Sequence, residues 1–136
     1  MMTGLCPPAI LMADDDQDDC LLATEAFADS GAEIGFSCVE DGKELMARLL
    51  ECHRSGRGLP NLILLDLNMP RLNGHDALTA IRSDETLRNI PVVILTTSFE
   101  EDVRSATKRM ANGFITKPSS QDGWFDMMKS VVEHWL

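Results

Sequence analysis

The sequence predicts a single α/β domain: a doubly wound, five-stranded parallel sheet carrying five helices. Short apolar runs alternate five times with segments of helical spacing, the pattern of successive βαβ units. Runs such as Leu62–Leu65 are continuously apolar, as suits strands covered on both faces. The 136 residues hold no internal linker, repeat or low-complexity segment, and this length is ample for one core.

Residues 1–8 read as a short N-terminal lead-in closed by Pro7-Pro8, and residues 9–136 as the domain. The apolar run 9–13 is the first strand, and it ends in the acidic burst DDDQDD at 14–19. From about Asp16 the spacing turns helical through Leu21, Leu22 and Phe27, until Ser30-Gly31 stops it. Residues 34–39 alternate and carry β-formers, giving the second strand. Asp41-Gly42 is a turn signal, and 43–53 is helical with Leu45, Met46, Leu49 and Leu50 on one side. SGRGLP at 55–60 is a flexible connection.

The third strand covers 61–66, followed by a loop to Gly74 and a helix over about 75–83. Pro91 opens the fourth strand, 92–95, which runs into Thr96-Thr97-Ser98. A polar helix over 100–111 has Asn112-Gly113 as its stop. The fifth strand, 114–116, ends at Lys117-Pro118. Residues 121–136 form the last helix, with Trp124, Met127, Met128, Val131, Val132 and Trp135 at amphipathic spacing.

A formal net charge of −10 argues against nucleic acid, which needs clustered Lys and Arg, and against anionic membrane surfaces. No apolar run nears the ~20 residues that span a bilayer. No Lys or Arg precedes Lys43, so the start lacks the positive region of a signal peptide. Cys6, Cys20, Cys38 and Cys52 lie far apart with no C-x-x-C pair; free thiols in a reducing, cytoplasmic compartment are the expectation.

In a parallel sheet the carboxyl ends of the strands share one edge, where ligands bind. Those ends deliver Asp14, Asp15 and Asp16, then Asp66, then Thr96, Thr97 and Ser98, then Lys117. Carboxylates held close raise one another's pKa unless a counter-charge intervenes. Mg²⁺ suits a site offering a few carboxylates, and Lys117 adds a second positive charge. Such a site favours attack by Asp66 on phosphorus to give an acyl phosphate.

Four blocks in order, ILMADD, LLDLNMPRLNG, PVVILTT and GFITKP, resemble the response-regulator receiver domain, the CheY-like phosphoacceptor module of two-component signalling. The likeness spans roughly 9–136 and implies a flavodoxin-like sheet in the order 2-1-3-4-5. It implies Asp66 as phosphoacceptor, and Asp14, Asp15, Asp66 and the Asn68 backbone carbonyl as ligands of Mg²⁺ (or Mn²⁺). Thr96 would be the switch hydroxyl, Lys117 the phosphoryl-contacting lysine and Phe114 the aromatic switch. Asn68 and Ser98 would tune the phosphoryl lifetime.

DDDQDD, the long loop before the third strand, ILTTS and the terminal EHWL are similar to stand-alone regulators of the phytochrome-associated type. The implied donor is a histidine kinase, of the phytochrome photoreceptor type in that subgroup. With no output domain following, the signal is expected to reach a downstream protein through the face of the fourth helix, fifth strand and fifth helix. A homodimer through the apolar last helix is permitted. The chain departs from the family in having Asp14 where many relatives carry Glu, Gln17 for Pro, Phe114 for Tyr, and RMANG for LGA.

Three rival readings use the same residues. Asp14-x-Asp16-x-Asp18 with Glu25 superficially matches a calcium loop, but the sixth position is Asp19 rather than Gly. Asp66-Leu67-Asn68 matches the nucleophile segment of haloacid-dehalogenase-type phosphatases, with Asn68 replacing their second Asp. A non-phosphorylated acidic interaction module would leave Asp16, Asp18 and Asp19 merely solvated.

Overall fold

The computed structural model describes residues 9–31, 35–56, 58–67, 69, 73–97 and 110–136. In chain order these form β1 (Ile10–Ala13), α1 (Gln17–Asp29), β2 (Phe36–Val39), α2 (Gly42–Arg54), β3 (Leu62–Asp66), α3 (Gly74–Ser83), β4 (Val92–Thr96), β5 (Gly113–Thr116) and α4 (Gln121–Trp135). The five strands pair in parallel in the order β2-β1-β3-β4-β5. Four helices are present among the described residues. The helix expected over 100–111 falls outside them except at Met110 and Ala111, as does the lead-in 1–8.

Strand alternation divides the continuous apolar runs between two cores. Leu11, Ala13, Ile63, Leu65, Val92 and Ile94 face α2 and α3 through Leu45, Leu49, Leu78 and Ile81. Ile10, Met12, Leu62, Leu64, Val93 and Leu95 face α1 and α4 through Ala26, Phe27, Trp124 and Met128. Every residue of β1, β3 and β4 is buried, whereas edge strands β2 and β5 are mostly half-buried.

Each helix start is fixed by a side-chain cap that satisfies its orphan amides. Asp16 accepts from the amides of Asp18 and Asp19, and Asn73 from Asp76. Ser120 accepts from Gly123. Asp41 accepts from Glu44, so Asp41-Gly42 is the N-terminus of α2 rather than a turn between elements. Gly31, at φ +80°, ends α1 in the left-handed region.

Other expectations are corrected. Cys20 and Cys38 are not thiols but a disulfide linking α1 to β2, with their Cα atoms 6.1 Å apart. No described cysteine is free. The crossover of α1 brings together positions 18 residues apart, a proximity that spacing alone does not reveal. Leu50 is exposed, and Cys52 takes its place on the buried side of α2. Gly113 opens β5, and the Asn112 side chain before it accepts from the Val92 amide at 2.8 Å and from Arg82 at 2.9 Å; the helix expected to stop at this pair lies outside the described residues up to residue 109. Arg82 also donates to the carbonyls of Met110, Arg88 and Ile90, clamping the end of α3 against the segments that flank β4.

Candidate functional site

The register of the central strands brings the chemical groups to one edge. Asp66 closes β3 opposite Leu95, and Thr96 lies one step further on β4, opposite Thr116. Both side chains sit where the sheet ends, yet both residues are buried. Asp14 directly follows β1, held by its amide to the Val39 carbonyl at 3.0 Å. Lys117 follows β5, its amide donating to the Thr96 carbonyl at 2.8 Å. Phe114 lies on β5 opposite Ile94, half-buried against the core beneath α2 and α3.

The Lys117 ammonium is the hub. Its Nζ lies 2.7 Å from Asp14 Oδ2, 2.9 Å from Asp19 Oδ2 and 3.3 Å from Asp66 Oδ2. Asp14 has no exposed surface, and its Oδ1 accepts from the Asp16 amide at 2.9 Å. Its Oδ2 is buried and is paired with the Lys117 ammonium. Carboxylate oxygens of Asp14, Asp15 and Asp66 lie within 4.8 Å of one another, with Asp15 exposed to solvent. Three carboxylates converging at one sheet edge, two buried and one open to solvent, fit a divalent cation with oxygen ligands.

Burial pushes the Asp14 carboxyl up to about 6, against the lowering pull of Lys117 and of the Asp16 amide. For Lys117, burial acts downward, but its hydrogen bonds to Asp14 and Asp19 and the nearby carboxylate charges outweigh it and raise the pKa. The ammonium is therefore charged throughout the neutral range. A cation needs the ionised form of Asp14. Its affinity should weaken as pH falls through about 6, approaching tenfold per pH unit for one competing proton. Calorimetric titration with Mn²⁺ from neutral to acidic pH checks this, and a flat affinity would contradict it.

Of the residues expected at the site, Asp14, Asp15, Asp66, Thr96 and Lys117 gather at this edge, with Phe114 set back on β5. Asn68 and Ser98 lie outside the described residues. The calcium-loop reading is overturned. Such a loop would run through Glu25, whereas Gln17–Asp29 is helix and cannot wrap an ion.

Asp19 is the residue that sequence reasoning missed. It reads as solvated within an acidic burst, yet it contacts Lys117 across 98 positions of chain. A signal for it exists: Asp19, Ala23, Ala26 and Phe27 fall at i, i+4, i+7 and i+8, and the last three are buried. Asp19 thus lies on the inward face of α1, whereas Asp18 is off it and exposed.

A chemically coherent edge on this sheet has close counterparts in known proteins. The family model described as the response regulator receiver domain matches residues 10–129. FilR2, a probable methanogenesis regulatory protein of Methanothrix harundinacea, is 35% identical over 96% of this chain and 84% of its own length. Response regulator Rcp1 of Synechocystis is 36% identical over 96% and 90%. The structure of its Mn²⁺-bound form superposes with a TM-score of 0.83 at 34% identity, covering 96% of this chain and 95% of that one. The phosphorylated cyanobacterial phytochrome response regulator RcpA superposes at 0.84 with 38% identity, covering 93% and 91%. The fold, the edge and the match over residues 10–129 agree: this chain belongs to the response regulator receiver domain family.

Proposed function

We propose that Asp66 accepts a phosphoryl group from the phosphohistidine of a histidine kinase and that the domain later hydrolyses the acyl phosphate itself. The observation that supports it most is the Lys117 ammonium held between Asp14 and Asp66 at the carboxyl edge of the sheet. An Asp66 oxygen forms the new O–P bond as the P–N bond to the imidazole breaks, leaving the electron pair on nitrogen. Lys117 stays within reach of the charge that develops on the phosphoryl oxygens, and the Thr96 hydroxyl donates to one of them. Asp14, Asp15 and Asp66, with the Asn68 carbonyl, would hold Mg²⁺, which supplies charge neutralisation during transfer.

In this reading the added charge draws Thr96 and Lys117 inward, and Phe114 rotates toward the space Thr96 leaves. That biases a two-state equilibrium of the face built from 100–111, β5 and α4, where a downstream protein or a second copy would dock. Asn68 and Ser98 tune the lifetime by controlling water. The likeness to RcpA, a phytochrome response regulator, favours a photoreceptor-type kinase as donor. The proposed compartment is the cytoplasm, where thiol reductants would act on the Cys20–Cys38 disulfide.

Incubation with acetyl phosphate and Mg²⁺ followed by intact mass should show one added phosphoryl group, and none for Asp66→Asn. Equal uptake by the variant, or none by the wild type, overturns the assignment. Sustained phosphate release from small phosphoesters would point instead to the phosphatase reading.

A further inference from the structure

Resting on the phosphoacceptor reading of Asp66, we infer that Asp19 is a positioning residue, whose carboxylate draws one donor of the Lys117 ammonium away from the cation-binding carboxylates. An ammonium has three N–H donors and no more. In this structure three carboxylates surround it, Asp14 at 2.7 Å, Asp19 at 2.9 Å and Asp66 at 3.3 Å. Asp14 and Asp66 belong to the group whose oxygens converge closely enough to hold a metal ion, and Asp19 does not. A cation arriving at that group competes with Nζ for the same oxygens. Each donor committed to Asp19 is one fewer that the cation must displace.

Asp19 is placed to do this without yielding. Its amide is held by the Asp16 cap at 3.2 Å, on a helix whose inward face buries Ala23, Ala26 and Phe27. The side chain is only 19% exposed, against 9% for that of Lys117, so the pair is largely shielded from water and salt. The anchor arrives from α1 and not from β5, so Lys117 is restrained at its backbone by Thr96 and at its tip by Asp19. When a phosphoryl group occupies Asp66, the donor facing Asp66 turns to it, and the Asp19 contact limits how far the ammonium is drawn inward.

Removing the Asp19 charge should let Nζ settle onto Asp14 and Asp66. In Asp19→Asn, Mg²⁺ affinity measured by calorimetry without any phosphodonor should fall about fivefold, the scale of one partly shielded ion pair. Phosphoryl uptake at subsaturating Mg²⁺ should slow by a similar factor, and Asp19→Glu should recover most of both. Asp18→Asn removes the same charge one residue away on an exposed position whose amide bonds Asp16; it should leave Mg²⁺ affinity within about twofold of wild type. Equal losses in the two Asn variants would reduce the effect to overall charge and overturn the inference, as would tighter Mg²⁺ binding in Asp19→Asn. If no variant takes up phosphate, the Asp66 reading fails, while the Mg²⁺ comparison still decides the role of Asp19.

Discussion

Lys117→Ala should lose phosphoryl uptake by about a hundredfold or more while binding a divalent cation more tightly than the wild type. Loss of one preorganised donor aimed at developing negative charge commonly costs that much in rate. Cation affinity moves the other way because Nζ no longer occupies oxygens of Asp14 and Asp66. The metal-free fold should also weaken by about 3 kcal/mol, since a fully buried carboxylate loses its partner. The pH dependence identifies the cause. Asp14 already titrates near 6 in the fold, above its ordinary 3.8, and should titrate higher still without the ammonium. A carboxyl whose folded pKa is raised contributes most below its unfolded value, and loses that contribution as pH rises through the folded one. The variant should therefore be closest to wild type at acidic pH and furthest above neutrality, with Mn²⁺ restoring the difference. Denaturant melts at several pH values, with and without Mn²⁺, measure this. Weaker Mn²⁺ binding than wild type would show that Lys117 builds the cation site rather than competing for it.

What the sequence disclosed and what it withheld follow from the range of the interactions. The continuous runs at Leu62–Leu65 and Val92–Leu95 are legible because a strand covered on both faces has no polar alternation to satisfy. Asp14, Asp66, Thr96 and Lys117 are legible for a related reason: a polar residue directly after such a strand can emerge only at the edge. Asp19 was hidden because its reason is tertiary. Helical spacing with Ala23, Ala26 and Phe27 separates it from Asp18, but only the packing of α1 gives it Lys117 as a partner. Cys20 and Cys38 were hidden likewise, since disulfide pairing depends on the distance between α1 and β2 and not on local composition. Arg82 carries no local mark either, yet it satisfies three carbonyls and the Asn112 side chain. Asn112 likewise shows no local sign of its task, which is to accept from the Val92 amide and from Arg82.

Gly74→Ala should unfold the domain more than any single truncation at the surface, and should do so through the strand that carries Asp66. The chain leaves β3, turns, and starts α3 so tightly that the Gly74 amide donates to the Leu67 carbonyl at 3.1 Å. A methyl group at Gly74 would fall 2.6 Å from the Leu67 Cα and 2.9 Å from the Asp66 carbonyl carbon, with the Asp66 carbonyl oxygen nearer still. All three are backbone atoms, so no rotamer can relieve the clash. Asp66 cannot retreat readily, because β3 is paired with β1 on one side and β4 on the other. Nor can α3, which is capped by Asn73 and buries Ala77, Leu78 and Ile81. We expect a loss of about 3 kcal/mol or more, the range of overpacking against rigid surroundings, seen as a fall in Tm of roughly 10 °C. Gly31→Ala supplies the contrast. That residue sits at φ +80° with nothing within 4 Å of the added carbon, so it should cost only the ~1 kcal/mol of a left-handed side chain and leave phosphoryl uptake unchanged. In Gly74→Ala, measured cold enough that the protein stays folded, uptake should still fall, because relief of the clash moves the Asp66 backbone away from Lys117. Normal uptake by folded Gly74→Ala would mean that α3 gives way instead and that the β3 end is the stiffer partner.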